Sequence, residues 1–260
     1  MAGSCRLVAG EIGGTIEPIV FIHGIFQMLG DLPVAQLFAA RPTLIPDMLG
    51  YGTQASVPAE NIALEAQADD LATQIVRSCG ETKAHIVGHS VGGAVMMLLA
   101  RRHPEIIASL VNVEGNFTLE DAFWTGKLAA MPLAEVATLL QGYQSDTSGW
   151  LALVGIEPTP ERVAIAGKGL HAQPATTVKA MAQSVIETTS QPSYLEDVQA
   201  VLDFGIPMHL LAGERSRAGW HVPESVLCRA AGITLQPGVG HMMMLEAPEE
   251  FLGLVAKLVA

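Results

Sequence analysis

The sequence predicts an α/β protein: a mostly parallel central sheet flanked by helices, with a block of helices inserted as a cap. Three observations carry that expectation. Short continuous apolar runs at residues 19–22, 84–87 and 106–113 have the character of strands buried on both faces. They alternate with segments of helical pattern, as strand–helix–strand units do. Between Phe117 and Asp197 the alternation stops. There, segments rich in Ala, Leu, Met and Thr are punctuated by Gly142, Gly149, Pro158, Pro160, Pro174 and Pro192. Residues 1–116 and 198–260 are therefore expected to form the core, and 117–197 a helical cap.

Taken in order, residues 6–9 read as a first strand, and Pro18 introduces the strand 19–22. Asp31 is placed to cap a helix to about Ala40. Residues 43–46 form a short strand that runs into a Gly-rich turn at 47–52. Asn61 is placed to cap a long amphipathic helix with Ile62, Leu64, Leu71, Ile75 and Val76 on its apolar face. The strand at 84–87 leads into Gly88-His89-Ser90-Val91-Gly92 and then an apolar helix that ends before Pro104. The strand 106–113 follows. Beyond the cap come a strand at 206–211, a helix at 222–230, a strand at 233–235 and a last helix at 248–259. No internal repeat is present.

Composition narrows the function classes. A chain of 260 residues that is 50% apolar and only 15% charged has material for a sizeable core. Its 26 acidic and 14 basic residues leave a net charge of −12, which disfavours nucleic acid and anionic membranes as partners and suits a small-molecule substrate. Cys5, Cys79 and Cys228 are far apart and form no metal-binding or disulfide pattern. No metal or other cofactor is expected. No signal-type leader or bilayer-length apolar run is evident. The expectation is a cytoplasmic protein, monomeric or homodimeric.

The chemistry starts at Ser90. A strand, a tight turn and a helix around Gly-x-Ser-x-Gly lift the serine hydroxyl onto a strained elbow. A serine attacks only when a base takes its proton, and histidine is the usual base. His241 follows the last strand and precedes the last helix, which puts it at the sheet edge that carries the elbow. Its competitors read differently. His85 and His209 fall in strands, His103 and His171 near helix ends, and His221 in a loop, while His89 shapes the pocket beside the nucleophile. An oxyanion needs two backbone N–H donors. Val91, just after the nucleophile, supplies one. Ile25, in the loop His23-Gly24-Ile25-Phe26 after the strand 19–22, supplies the other.

These residues, in this order, resemble the α/β-hydrolase family. The resemblance rests on His23-Gly24, Asp47-x-x-Gly50-x-Gly52, Gly88-x-Ser90-x-Gly92 and Gly240-His241. It implies the fold, Ser90 as nucleophile, His241 as base, an oxyanion hole from Ile25 and Val91, and a structural turn at 47–52 on the pocket edge. The third triad member departs from the pattern. Much of the family carries an Asp in a Gly-x-x-Asp setting after the penultimate core strand. Here that stretch reads Gly213-Glu214-Arg215-Ser216, and a serine cannot supply charge. Glu114, at the end of the strand 106–113, stands where haloalkane dehalogenases and some other members place the acid. Glu114 is the expected acid. Glu214 is the alternative, its other reading being a surface carboxylate paired with Arg215 or Arg217. A serine nucleophile also argues against the dehalogenase and epoxide-hydrolase routes, which resemble each other in using Asp.

The cap offers Phe117, Phe123, Trp124, Leu128, Met131, Leu133, Leu139, Leu140, Trp150 and Leu151. Most are expected to pack the cap on the core, and the rest to face an apolar acyl or alkyl group. Gly24, Phe26, His89, Trp124, Met131 and Met242 are the expected pocket residues. No Arg/Lys cluster marks an anion clamp. The expected activity is hydrolysis of a small, largely apolar carboxylic ester through an acyl-enzyme. Alternatives on the same triad are thioester hydrolysis, acyl transfer, carbon–carbon bond hydrolysis and perhydrolysis. A small-molecule receptor with a vestigial triad is the alternative of another class.

Overall fold

The computed structural model describes residues 5–9, 16–30, 32–34, 38 and 41–260. Asp31 and most of the helix expected to about Ala40, together with the side chain of Phe123, lie outside the described residues.

Among the described residues, seven strands form one sheet: β1 (Cys5–Ala9), β2 (Ile19–Ile22), β3 (Thr43–Pro46), β4 (Ala84–His89), β5 (Ile107–Val113), β6 (Met208–Gly213) and β7 (Gly232–Gln236). Their spatial order is β1-β3-β2-β4-β5-β6-β7, parallel throughout except for the antiparallel pairing of β1 with β3. Every residue of β2 and β4 is buried, because helices cover both faces. The strand alternation splits the core in two. Val20, Ile22, Ile86 and Leu110 face α1 (Leu64–Cys79), α2 (Val91–Arg102) and the inserted helices. Ile19, Phe21, Val87 and Val111 face Phe251, Leu252 and Val255 of the last helix, named α11 below.

Parallel strands bring their C-terminal ends to one edge, where open α/β sheets bind ligands. The segments after β2, β4, β5, β6 and β7 therefore converge there, carrying His23–Phe26, Ser90, Glu114, Ser216 and His241.

Six helices are inserted between β5 and β6: α3 (Phe123–Ala130), α4 (Leu133–Ser145), α5 (Thr147–Leu153), α6 (Pro160–His171), α7 (Ala175–Thr189) and α8 (Pro192–Asp203). The boundary expected at 197/198 falls inside α8. That helix is continuous from its N-terminal proline and packs on α2, with Arg101 paired to Asp197 at 2.9 Å. The chain ends with α9 (Glu224–Arg229), α10 (Met243–Glu246) and α11 (Pro248–Leu258). Among the described residues no helix is long and apolar enough to cross a membrane.

The start of α1 differs from expectation. Asn61 does not cap it; Asn61 closes a short 3-10 turn that begins after Pro58, and the helix starts at Leu64 with Ala63 at the N-cap. The cap is supplied from far away, because Ser184 Oγ of α7 accepts the Leu64 N–H at 2.9 Å. Val76 is exposed, since Leu64, Ala68, Leu71, Ala72 and Ile75 already form the buried stripe and Val76 lies a further 100° round the helix. Ser184→Ala should lower unfolding free energy by about 1 kcal/mol, the usual effect of losing a side-chain helix cap. Urea denaturation would measure it, and an unchanged midpoint would count against the contact.

Candidate active site

Ser90 sits between β4 and α2 at φ 54°, ψ −123°, a conformation that non-glycine residues seldom adopt. The surrounding backbone holds it there. Its N–H donates to Val113 O (3.0 Å), and its carbonyl accepts from Gly93 N (2.8 Å) and Asn116 N (3.2 Å). The flanking glycines are demanded by crowding. A Cβ on Gly88 would stand 2.6 Å from Gly92 O, and one on Gly92 would stand 2.4 Å from Ile22 O.

Glu114 is the second non-glycine residue with positive φ, at 43°. The turn is needed because β5 ends against α2, with a Cβ on Gly115 falling 2.6 Å from Gly93 Cα. It aims the Glu114 carboxylate across the sheet edge. Oε1 accepts from Gly213 N (2.7 Å) and Ser216 Oγ (2.5 Å), and Oε2 meets His241 Nδ1 at 2.8 Å. The Glu114 side chain is only 4% exposed. Burial pushes its pKa up. The hydrogen bond from His241, the charge of that imidazole, and the Ser216 and Gly213 donors outweigh burial, so the net direction is below the usual carboxylate value. An ionised carboxylate only accepts, so the His241 proton sits on Nδ1 and Nε2 keeps its lone pair for the cavity.

The loop carrying His241 is held at four successive residues. Glu214 Oε2 accepts from Gly238 N (2.8 Å), and Arg215 N–H donates to Val239 O (3.0 Å). Glu246 Oε1 accepts from Gly240 N (2.7 Å), and His89 Nε2 donates to His241 O (3.0 Å). Glu214 is therefore not brought to His241. Nor does it pair with Arg215 or Arg217: Arg215 binds Glu246 at 2.6 Å, and Arg217 donates to Trp220 O while lying over the Trp220 ring. His89 does more than shape the pocket. Burial, then the neighbouring His241 charge, hold its pKa well below the usual value, so it stays neutral and ties the His241 carbonyl to β4.

Ser90, Glu114 and His241 line one cavity of about 740 Å³, within the size range of small-molecule sites. Gly24, Phe26, His89, Trp124, Met131 and Met242 all stand on its wall, as does Ile25. Val91 does not: it is fully buried directly behind Ser90 in the chain. Among the described residues no partner takes the N–H of Ile25 or of Val91, and Tyr51 Oη fixes the Ile25 peptide by donating to its carbonyl at 3.0 Å.

The turn at 47–52 was expected on the pocket edge and is not on the wall. It follows β3, which lies beyond β2 from the nucleophile strand. Its role is internal bracing: Asp47 accepts from Gln27 Nε2 (2.7 Å) and Thr53 N (2.9 Å).

The inserted helices roof the cavity. Trp124, Leu128, Met131 and Leu139 line it, Phe117, Leu140, Trp150 and Leu151 are buried in packing, and Leu133 is exposed. Phe26 meets Trp124 and Trp150 edge-on, with ring centroids 6.1 and 6.0 Å away. The three consecutive methionines divide: Met242 lines the cavity, while Met243 and Met244 are buried under the sheet with Phe251. Asn116, Tyr143, Arg215 and Glu246 also stand on the wall, and sequence reasoning missed them. Only Asn116 had a local signal, as a polar residue directly after a strand-end acid.

The chain matches the alpha/beta hydrolase family over residues 19–254 and belongs to it. It is 23% identical over 261 residues to Lipase 1 of Psychrobacter immobilis, covering 96% of this chain and 79% of that one. Lipase 3 of Moraxella sp. (strain TA144) is 24% identical with the same coverage. Among solved structures, MenH from S. aureus superposes with a TM-score of 0.72 at 15% identity, covering 98% of this chain and 97% of that one. A thermophilic esterase from Thermogutta terrifontis gives 0.68 at 18%, covering 98% and 92%. At such identities the structural neighbours speak for the fold alone.

Proposed function

We propose that the protein is a serine hydrolase that cleaves small, largely apolar carboxylic esters through an acyl-enzyme. The observation that carries this reading is the 2.8 Å bond between Glu114 and His241 on the wall of the cavity that also holds the Ser90 elbow. His241 Nε2 takes the Ser90 proton as Oγ bonds to the ester carbonyl carbon. The carbonyl oxygen becomes an oxyanion facing the Ile25 and Val91 N–H groups. The imidazolium, stabilised by Glu114, gives its proton to the leaving alkoxide, and the C–O bond breaks to release an alcohol. Water, deprotonated by His241, then attacks the acyl-serine. The acid leaves and Ser90 recovers its proton.

The wall residues Phe26, Trp124, Leu128, Met131 and Leu139 favour an apolar acyl or alkyl group. Similarity to proteins named lipases supports ester bonds as the target.

A panel of short and medium chromogenic esters tests the reading. Turnover by the wild type, its loss in Ser90→Ala, and a phosphonate adduct on Ser90 are the expected results. Tight ligand binding without turnover or adduct would replace the enzyme reading with a receptor. An adduct without ester turnover would point to a thioester, carbon–carbon or acyl-transfer substrate.

A further inference from the structure

Arg162 belongs to the inserted helices, two residues into α6, yet its guanidinium reaches the catalytic edge of the core. Nε donates to Leu245 O at 3.2 Å and Nη2 to Glu246 O at 2.7 Å. Those are the last carbonyls of the short helix α10, which have no partner within the helix. Nη1 turns back to its own segment and donates to Glu157 O at 3.1 Å. The Arg162 side chain is only 24% exposed, so these bonds are largely shielded from water.

What Arg162 holds is mechanically important. Glu246 reaches from α10 to the Gly240 N–H at 2.7 Å, next to the base, and its other oxygen takes Arg215 at 2.6 Å. Arg215 precedes Ser216, whose hydroxyl donates to Glu114. One chain of contacts thus runs from the cap through α10 to the base loop and on to the acid's support. Among the described contacts, Arg162 is the charged group by which the cap grips this loop.

We propose that Arg162 is a positioning residue: it fixes α10, and through Glu246 the loop of His241, so that the cap sets the aim of the catalytic base. This rests on the serine-hydrolase reading of the site. A planar fork is suited to the task because it serves two adjacent carbonyls at fixed angles, where an ammonium offers a single point of charge.

The test uses 4-nitrophenyl acetate, an ester with a two-carbon acyl group. Arg162→Ala should lower kcat by about tenfold or more with KM unchanged, as misplacement of a reacting group does. Arg162→Lys should fall between the two. Glu157→Gln, which alters only an exposed partner, should behave as wild type. The downfield proton resonance of the Glu114–His241 bond gives a second readout that needs no turnover. It should shift or broaden in Arg162→Ala and stay in place in Glu157→Gln. Should the alanine variant fail to fold, the lysine variant decides by the same two measurements. Wild-type kcat together with an unmoved resonance in the folded variants would overturn the proposal. If the wild type hydrolyses neither the acetate nor any ester of the panel, the ester-hydrolase reading fails, and the resonance alone still decides whether Arg162 aims the imidazole.

Discussion

Glu114→Gln is expected to slow ester turnover by about four orders of magnitude while leaving the protein folded. The amide keeps the shape of the side chain and can still accept from Gly213 and Ser216. It cannot carry the charge that stabilises the imidazolium. Its NH2 group can also face Nδ1, which drives the His241 proton to Nε2 and removes the base. Steady-state kinetics on a chromogenic ester measures the loss, and a decrease smaller than about tenfold would remove Glu114 from the mechanism. Glu214→Gln gives the contrast: it loosens only the Gly238 N–H, and the rate should change by less than about tenfold. A partial rescue should also exist. Ser216 already touches Glu114 Oε1 at 2.5 Å, so Ser216→Asp in the Glu114→Gln background returns a carboxylate to the neighbourhood of His241. Recovery of part of the lost rate is the expected result.

Acid should weaken the fold between about pH 6.5 and pH 4, ahead of general carboxylate protonation. His23 is fully buried, and burial, opposed by its bond to Gly24 O and by the Asp47 charge, lowers its pKa from 6.5 to about 4. The unfolded chain therefore binds a proton in this window that the folded chain refuses. The stabilisation is complete above pH 6.5 and declines as pH falls toward 4, reaching roughly 3 kcal/mol in all. His89 shifts in the same direction and deepens the loss. Glu114, lowered in the folded state, adds to it only below the ordinary carboxylate range. Urea unfolding at pH 7, 5.5 and 4.5 should show a falling midpoint. A flat profile would mean that His23 finds water or a partner when protonated.

Much of this site could be read before any coordinates, for physical reasons. The strands β2, β4 and β5 declare themselves because burial on both faces keeps their runs mostly apolar. The elbow is legible because its glycines answer to crowding within five residues. Glu114 stands at a strand end, where a polar residue after an apolar run is conspicuous, and His241 stands in the loop between the last strand and the helices that close the chain. What stayed hidden depends on partners distant in sequence. Asn61 had the right chemistry to cap α1, but Ser184, 120 residues away, does so. Val76 looked like part of the apolar stripe until packing chose the face centred on Leu71 and Ile75. The helix that spans residue 197 was hidden too, because Pro192 starts it and its packing surface is α2. Ser216 reads only as a serine standing where the family carries Asp, and Glu246 carries no signal, since nothing local says which backbone or carboxylate they will meet.

Ser184 on the first N–H of α1 also bears on exchange of parts between relatives. It is one of several stitches: Thr177 Oγ1 donates to Gly50 O at 3.0 Å, and Gly52 N donates to Ala172 O at 2.8 Å. The roof over the cavity is thus not a cassette. A graft from another hydrolase would strand the amide of Leu64 and the carbonyl of Gly50 unless it brought hydroxyls to the same places. Recombination breakpoints that respect this chain's stability must therefore keep α7 together with the core it serves, and diversify the shorter helices α3 to α5 instead.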